Sequence, residues 1–194
     1  MRIVNLSAEA EDFTGNVWLI DGREKVLVDA GTGDVINSIN QLEAVDKVVV
    51  THSHYDHVDN LPQIVERYDP EIYAFEPGNL DVDAERLDDG DDIELDGQSY
   101  TVIHTPGHRD DSVCLYNSEA RVLFTGDLLF PDGGFGRTDL EQGNRDQLIR
   151  SIRKLIDLDV NMFYPGHGEQ VVQKAEESIK QSLEQAEKHE AKYE

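Results

Sequence analysis

The chain has 194 residues, a length that suits one domain with a sizeable core and no need of staples. Its 41 acidic residues against 17 basic ones leave a formal net charge of −24, spread along the chain between apolar segments rather than gathered in a tail. Such a surface repels phosphate backbones and anionic headgroups, which excludes nucleic acid and membranes as partners and points to adaptation to high salt, where self-repulsion is screened.

From the N-terminus, Met1-Arg2-Ile3-Val4-Asn5-Leu6 gives way to acidic residues too soon for a signal peptide, and no apolar stretch reaches transmembrane length. A cytoplasmic location is expected. Asn16-Val17-Trp18-Leu19-Ile20, a turn at Asp21-Gly22 and Glu24–Asp29 predict two paired strands. Asp29 then stands at a strand end before Gly31, where a carboxylate either orients a nearby site or bonds the turn. Residues 34–42 fit an amphipathic helix with Val35, Ile36, Ile39 and Leu42 on one side. Asp46–Thr51 reads as a buried strand, and Gln63–Tyr68 as a helix with Pro62 in its first turn. Glu71–Phe75 is a short strand, and Asp81–Asp92 a polar connection too acidic to bury.

Strands are expected again at Gln98–His104, Asp111–Tyr116 and Arg121–Thr125. The second of these holds Cys114, whose apolar setting makes it a small core residue; as the single cysteine it excludes an internal disulfide and a thiolate metal cage. Leu148, Ile152, Leu155 and Ile156 repeat at helical spacing within 144–157. A last strand at Asn161–Tyr164 precedes a helix from Gln173 to the end, on which His189 faces solvent. No internal repeat, low-complexity segment or linker interrupts 1–194, so one domain is expected. Strands and helices fall in two comparable batches, which fits an α/β sandwich better than one doubly wound sheet.

Chemistry concentrates in Thr51-His52-Ser53-His54-Tyr55-Asp56-His57, at the end of a predicted buried strand. Neutral imidazole and carboxylate suit zinc, iron or manganese. Alternation on an extended segment lets His52 and His54 grip one ion, while Asp56 and His57, past the turn, reach a second. Tyr55, between ligands, reads as a packing residue. Three later residues share the same setting of strand end, loop and glycine: His108 in Thr105-Pro106-Gly107-His108, Asp127 in Thr125-Gly126-Asp127, and His167 in Pro165-Gly166-His167-Gly168. His104 lacks the glycine and reads as structural.

With these residues in place, the chain resembles the metallo-β-lactamase superfamily, recognised by His-x-His-x-Asp-His followed at distance by His, Asp and His. The resemblance spans Asn16 to His167. It implies a four-layered αβ/βα sandwich and two divalent metal ions, with His52, His54 and His108 on the first, Asp56, His57 and His167 on the second, and Asp127 bridging. Gly136-Arg137-Thr138-Asp139-Leu140 looks like the glyoxalase II-like branch, whose members hydrolyse thioesters such as S-lactoylglutathione or, in a sulfur-oxidising sub-branch, oxidise persulfides on one iron. Two departures stand out. Asp59-Asn60 follow Val58 where the branch usually has glycine, and glyoxalase II proper has a helical C-terminal extension that binds glutathione, whereas only residues 168–194 follow His167 here. A thiol carrier other than glutathione is therefore open.

A water between two cations roughly 3.5–4 Å apart loses a proton near neutral pH, so hydrolysis needs no side-chain base. Asp56 and Asp127 hold ions and water. Arg137, after the glycine-rich Gly133-Gly134-Phe135-Gly136, either grips a substrate carboxylate or pairs with Asp132 or Asp139. The expected function is a zinc-type metallohydrolase acting on an acyl thiol. A persulfide dioxygenase with one iron on His52, His108 and Asp127 is the rival, and a catalytically silent metal-binding protein a third reading.

Overall fold

Val48, Val49 and Val50 are buried because their strand runs between two parallel neighbours, a position with no solvent face. The structure is a computed structural model that describes residues 2–190, with side chains described through Lys188. Residues 191–194 and the side chain of His189 therefore lie outside the described residues. Two compact units divide the chain, Met1–Tyr100 and Thr101–Glu194.

The first unit contains β1 (Arg2–Asn5), β2 (Trp18–Asp21), β3 (Lys25–Val28), α1 (Val35–Ile39), β4 (Lys47–Val49), α2 (Tyr55–Val58), α3 (Leu61–Tyr68), β5 (Glu71–Ala74), β6 (Glu85–Arg86) and β7 (Asp92–Leu95). Six of its strands form one sheet in the order β1-β2-β3-β4-β5-β6. β1, β2 and β3 pair antiparallel, as short turns allow, whereas β3, β4, β5 and β6 pair parallel. Val35 and Ile39 of α1 and Leu61 and Ile64 of α3 close over Leu27, Val48 and Ile72 of the sheet.

The second unit begins within β8 (Gln98–His104) and continues through β9 (Val113–Asn117), β10 (Val122–Gly126), β11 (Leu129–Phe130), β12 (Gly134–Phe135), α4 (Arg145–Leu155), β13 (Met162–Pro165) and α5 (Ala175–Glu190). A five-stranded sheet has the order β13-β10-β9-β8-β7. Leu148, Ile152 and Leu155 of α4 and Ile179 and Ala186 of α5 pack with Leu123 and Phe163. The side chain of Asn144 accepts the Gln147 N–H at 3.0 Å and so starts α4. The class is α/β, as expected: each sheet carries its own helices.

Several expectations are corrected. The first helix stops at Ile39 rather than Leu42, because the Asn40 and Gln41 N–H groups turn back to Ile36 and Ser38 carbonyls after a segment of weak helix formers. α2 was not anticipated; a single turn of four residues is too short to show helical periodicity. Within the acidic 81–92 connection, Glu85–Arg86 pairs parallel with Tyr73–Ala74 and Leu87 is buried, while Asp88, Asp89, Asp91 and Asp92 stay exposed. Tyr55 does not pack: it is 68% exposed.

Cys114 is fully buried, with Thr105 Oγ1 at 3.5 Å, and burial pushes its thiol up to about 12. The folded protein is expected to resist iodoacetamide at mildly alkaline pH and to be alkylated fully in denaturant, read by mass spectrometry; fast labelling of the folded chain would contradict this burial.

Candidate metal centre

In the first unit the ligand cluster begins where β4 ends. This is the carboxyl end of a parallel strand, where open α/β sheets place their ligands. Beside it, Asp29 leaves β3 in the left-handed region with φ of 65°, a conformation Asp tolerates better than most residues. That turn aims its carboxylate at β4. Oδ1 accepts the Thr51 N–H at 2.7 Å, and Oδ2 lies 2.8 Å from both Thr51 Oγ1 and His57 Nδ1. An ionised carboxylate has no proton to give, so Nδ1 of His57 is the donor and Nε2 carries the lone pair.

The same logic extends to His52. The Thr51 hydroxyl gives its proton to Asp29, so its oxygen can accept from His52 Nδ1 at 3.2 Å, which leaves His52 Nε2 as the acceptor. His54 precedes α2 in extended backbone and turns its ring edge-on to His52, with Nδ1 3.1 Å from His52 Nε2. The ring of His57 lies 4.2 Å from that of His52 between centroids. Asp56 Oδ2 is 3.9 Å from His57 Nε2. The His57 carbonyl accepts from Ala30 and Gly31, and the Asp56 carbonyl from Gly15, so α2 is tied to the β3 turn. Asp59 accepts the Thr32 hydroxyl at 2.7 Å and Asn60 donates to the Ala30 carbonyl at 3.3 Å; these side chains do the bracing where the branch usually has glycine.

In the second unit, His108 Nδ1 is 2.9 Å from the Arg137 carbonyl, which can only accept, so Nε2 again carries the lone pair. His108 Nε2 lies 3.3 Å and His167 Nε2 3.5 Å from Asp127 Oδ2. Asp127 follows β10 and His167 follows β13, neighbouring parallel strands, and the Gly166 N–H to Gly126 carbonyl bond at 2.8 Å holds their ends together. Glycine is required twice here. A Cβ on Gly107 would sit 2.3 Å from the Leu148 nitrogen, and one on Gly136 would sit 2.0 Å from the Asp127 carbonyl oxygen.

These separations fit divalent metal. Ligands at ~2.0–2.1 Å in tetrahedral array lie about 3.4 Å apart, and the donor pairs within each unit lie at 3.1, 3.3, 3.5 and 3.9 Å. His52, His54, Asp56 and His57 of the first unit and His108, Asp127 and His167 of the second could bind metal ions. His104 is structural, its Nε2 2.7 Å from the Asp110 carbonyl and its own carbonyl bonded to Lys154. Arg137 pairs with Asp139 at 3.0 and 2.8 Å, and the guanidinium beside it holds the Asp139 carboxyl down at about 2.

Sequence reasoning did not find Thr51, Gly15 or Gly136 as parts of this centre. A single threonine or glycine carries no ligand chemistry, and only the folded backbone shows that a Cβ on Gly15 would meet the His57 ring at 2.7 Å. Asp29→Asn keeps the backbone conformation and the bond to the Thr51 N–H but removes the acceptor that fixes His57. Affinity for a divalent metal, read by chelator competition, is expected to fall about 10- to 100-fold; unchanged affinity would contradict an orienting role.

A model of the metallo-beta-lactamase superfamily matches residues 10–167. Hydroxyacylglutathione hydrolase GloC of Haemophilus influenzae is 33% identical over 185 residues, covering 80% of this chain and 86% of that protein. The atrochrysone carboxyl ACP thioesterase of Aspergillus fumigatus is 29% identical over 192 residues, 91% of this chain and 57% of that protein. For the first three curated relatives the chain spans 57 to 63% of their length. Among solved structures, TTHA1623 in a di-iron-bound form superposes with a TM-score of 0.73 at 25% identity, covering 95% of this chain and 97% of that one. No helix among the described residues is long and apolar enough to cross a membrane. With its ligand motif, its fold and a family match that runs through both units, the chain belongs to the metallo-beta-lactamase superfamily, in its glyoxalase II-like branch.

Proposed function

We propose that the chain is a metallohydrolase that cleaves a thioester, R–CO–S–R′, to a carboxylate and a thiol. The observation that carries this reading is the spacing of donor atoms in each unit, 3.1–3.9 Å, with the hydrogen bonds to His57 and His108 leaving Nε2 as the acceptor atom of each ring. Two relatives named for hydrolysis of acyl thiols on different carriers, one on glutathione and one on an acyl carrier protein, support the thioester in particular.

The two units are proposed to act as one domain on one pair of ions, since the family match crosses Tyr100 without a break. His52, His54 and His108 would hold the first ion, Asp56, His57 and His167 the second, and Asp127 both. Zinc suits this imidazole and carboxylate set, with iron or manganese able to replace it. Bound metal supplies a Lewis acid for the carbonyl and lowers the pKa of a coordinated water to ≈ 7.

The protein's part is orientation. Asp29 fixes His57 and, through Thr51, His52; the Arg137 carbonyl fixes His108. Water adds to the carbonyl carbon, the C–S bond breaks and sulfur departs with the electron pair as thiolate; of the two protons of the water, one goes to the thiolate to give the thiol and one passes to solvent. A thiolate leaves without a proton donor, so no acidic side chain is required. The Arg137–Asp139 pair is exposed and screened, so the guanidinium is free to exchange Asp139 for a carboxylate of the carrier. The surface at −24 is assigned to a high-salt cytoplasm, in keeping with the exposed carboxylates at 88–92 and the single buried thiol.

Elemental analysis beside a panel of acyl thiols at low and high salt tests the reading. It predicts two divalent ions per chain, turnover without oxygen uptake, activity rising with salt, and a loss of at least about a hundredfold in kcat for Asp127→Asn. One iron per chain with oxygen consumption would replace it with persulfide oxidation. No turnover on reconstitution, and an Asp127→Asn variant altered in stability alone, would leave a metal-binding protein.

A further inference from the structure

Phe13 is 80% exposed and Tyr55 68%, two of the four large hydrophobic residues exposed among those described. On a surface this acidic, both belong to segments that carry or adjoin the ligand cluster of the first unit. Tyr55 opens α2 directly between His54 and Asp56. Phe13 stands two residues before Gly15, whose N–H donates to the Asp56 carbonyl at 2.9 Å and where a Cβ would meet the His57 ring at 2.7 Å.

The segment that carries Phe13 is held on both sides. Before it, the Glu11 and Asp12 N–H groups donate to the Asp34 carboxylate at 2.9 and 3.4 Å, and the Asp12 carboxylate accepts the Asp34 N–H at 3.2 Å. After it, Thr14 Oγ1 accepts the Thr32 N–H at 2.9 Å. A side chain displayed from so many fixed neighbours is not the tip of a loose loop, where exposed apolar groups carry no meaning. Two exposed aromatics, one between two ligand residues and one on a segment braced against α2, supply apolar surface of the kind that ligand sites use.

We propose that Phe13 and Tyr55 receive the acyl group of the substrate, so that the thioester cleaved carries an alkyl or aromatic acyl chain rather than a small hydroxyacyl group. This rests on the thioesterase reading. Each methylene buried against the pair adds ~0.8 kcal/mol, which is about fourfold in kcat/KM, until that surface is covered.

The metal-loaded protein is assayed on acetyl, butyryl, hexanoyl and benzoyl thioesters of one small carrier, N-acetylcysteamine. In parallel, calorimetry gives Kd for the S-methyl and S-hexyl thioethers of the same carrier, which cannot be hydrolysed. The expected result is kcat/KM rising with chain length, S-hexyl binding tighter than S-methyl, and a hexanoyl-to-acetyl ratio at least about tenfold lower in Phe13→Ser/Tyr55→Ser. Phe13→Leu, which keeps an apolar side chain, should retain most of the ratio that Phe13→Ser loses, and thermal melts confirm that each variant folds. Turnover with a ratio that is flat, or that survives the double variant, overturns the proposal while leaving the thioesterase reading in place. Variants that change only the sedimentation coefficient overturn it in favour of a protein contact. If no thioester turns over yet S-hexyl still binds more tightly than S-methyl in a Phe13-dependent way, the apolar site stands and the hydrolase reading falls.

Discussion

The carboxylate of Asp29 is the constraint on which the first unit's chemistry depends. It lies at the end of β3 with φ of 65°, and its own N–H is bonded to the Val49 carbonyl at 2.9 Å. From there it binds the backbone and side chain of Thr51 and the ring of His57. One group therefore joins the ends of two strands to the single turn of α2. Four residues of helix have little intrinsic stability, so α2 holds its place through these bonds and through the carbonyls of Asp56 and His57. Rigid strands on one side and a buried carboxylate on the other leave the imidazoles with one orientation each.

The second unit reaches the same end by different means. A backbone carbonyl, from Arg137, does for His108 what the Asp29 carboxylate does for His57. Only glycine at position 136 allows the chain to pass close enough to the Asp127 carbonyl to bring that oxygen into reach. Asp127 and His167 gain their spacing from β10 and β13, whose parallel register shifts between Phe124 and Gly126. A carbonyl has no charge, so this half depends on close approach where the first depends on hydrogen bonds to a buried carboxylate. Substitutions that crowd Gly107 or Gly136 are accordingly more damaging than loss of the exposed Arg137–Asp139 pair.

Much of this was legible in the residues. Val48–Val50 could only be a buried strand, and Leu148, Ile152 and Leu155 announced α4 by their spacing. The ligand types at strand ends likewise named themselves, because no structural role collects three histidines and an aspartate in so short a run. What could not be read was anything set by backbone meeting backbone. Glu85–Arg86 becomes a strand only because β5 offers an unpaired edge. Tyr55 looked like a packing residue since aromatics usually are; its exposure follows from α2 turning that face outward. Asp29 admitted two uses in the sequence, orienting a site or bonding a turn, and its carboxylate bonds Thr51 and His57, in and beside the ligand cluster. The departure at Asp59-Asn60 likewise resolves into bonds to Thr32 and Ala30, a brace that glycine could not supply.

The central proposal is that His52, His54, Asp56, His57, His108, Asp127 and His167 hold one pair of ions. X-ray absorption fine structure at the zinc edge of the fully loaded protein measures that directly. The account predicts imidazole scattering on every ion and a metal–metal vector of about 3.5–4 Å, lost when either His54 or His167 is replaced by alanine. Isolated ions without a metal–metal vector, or a vector unchanged by removing a ligand from one of the units, would contradict it.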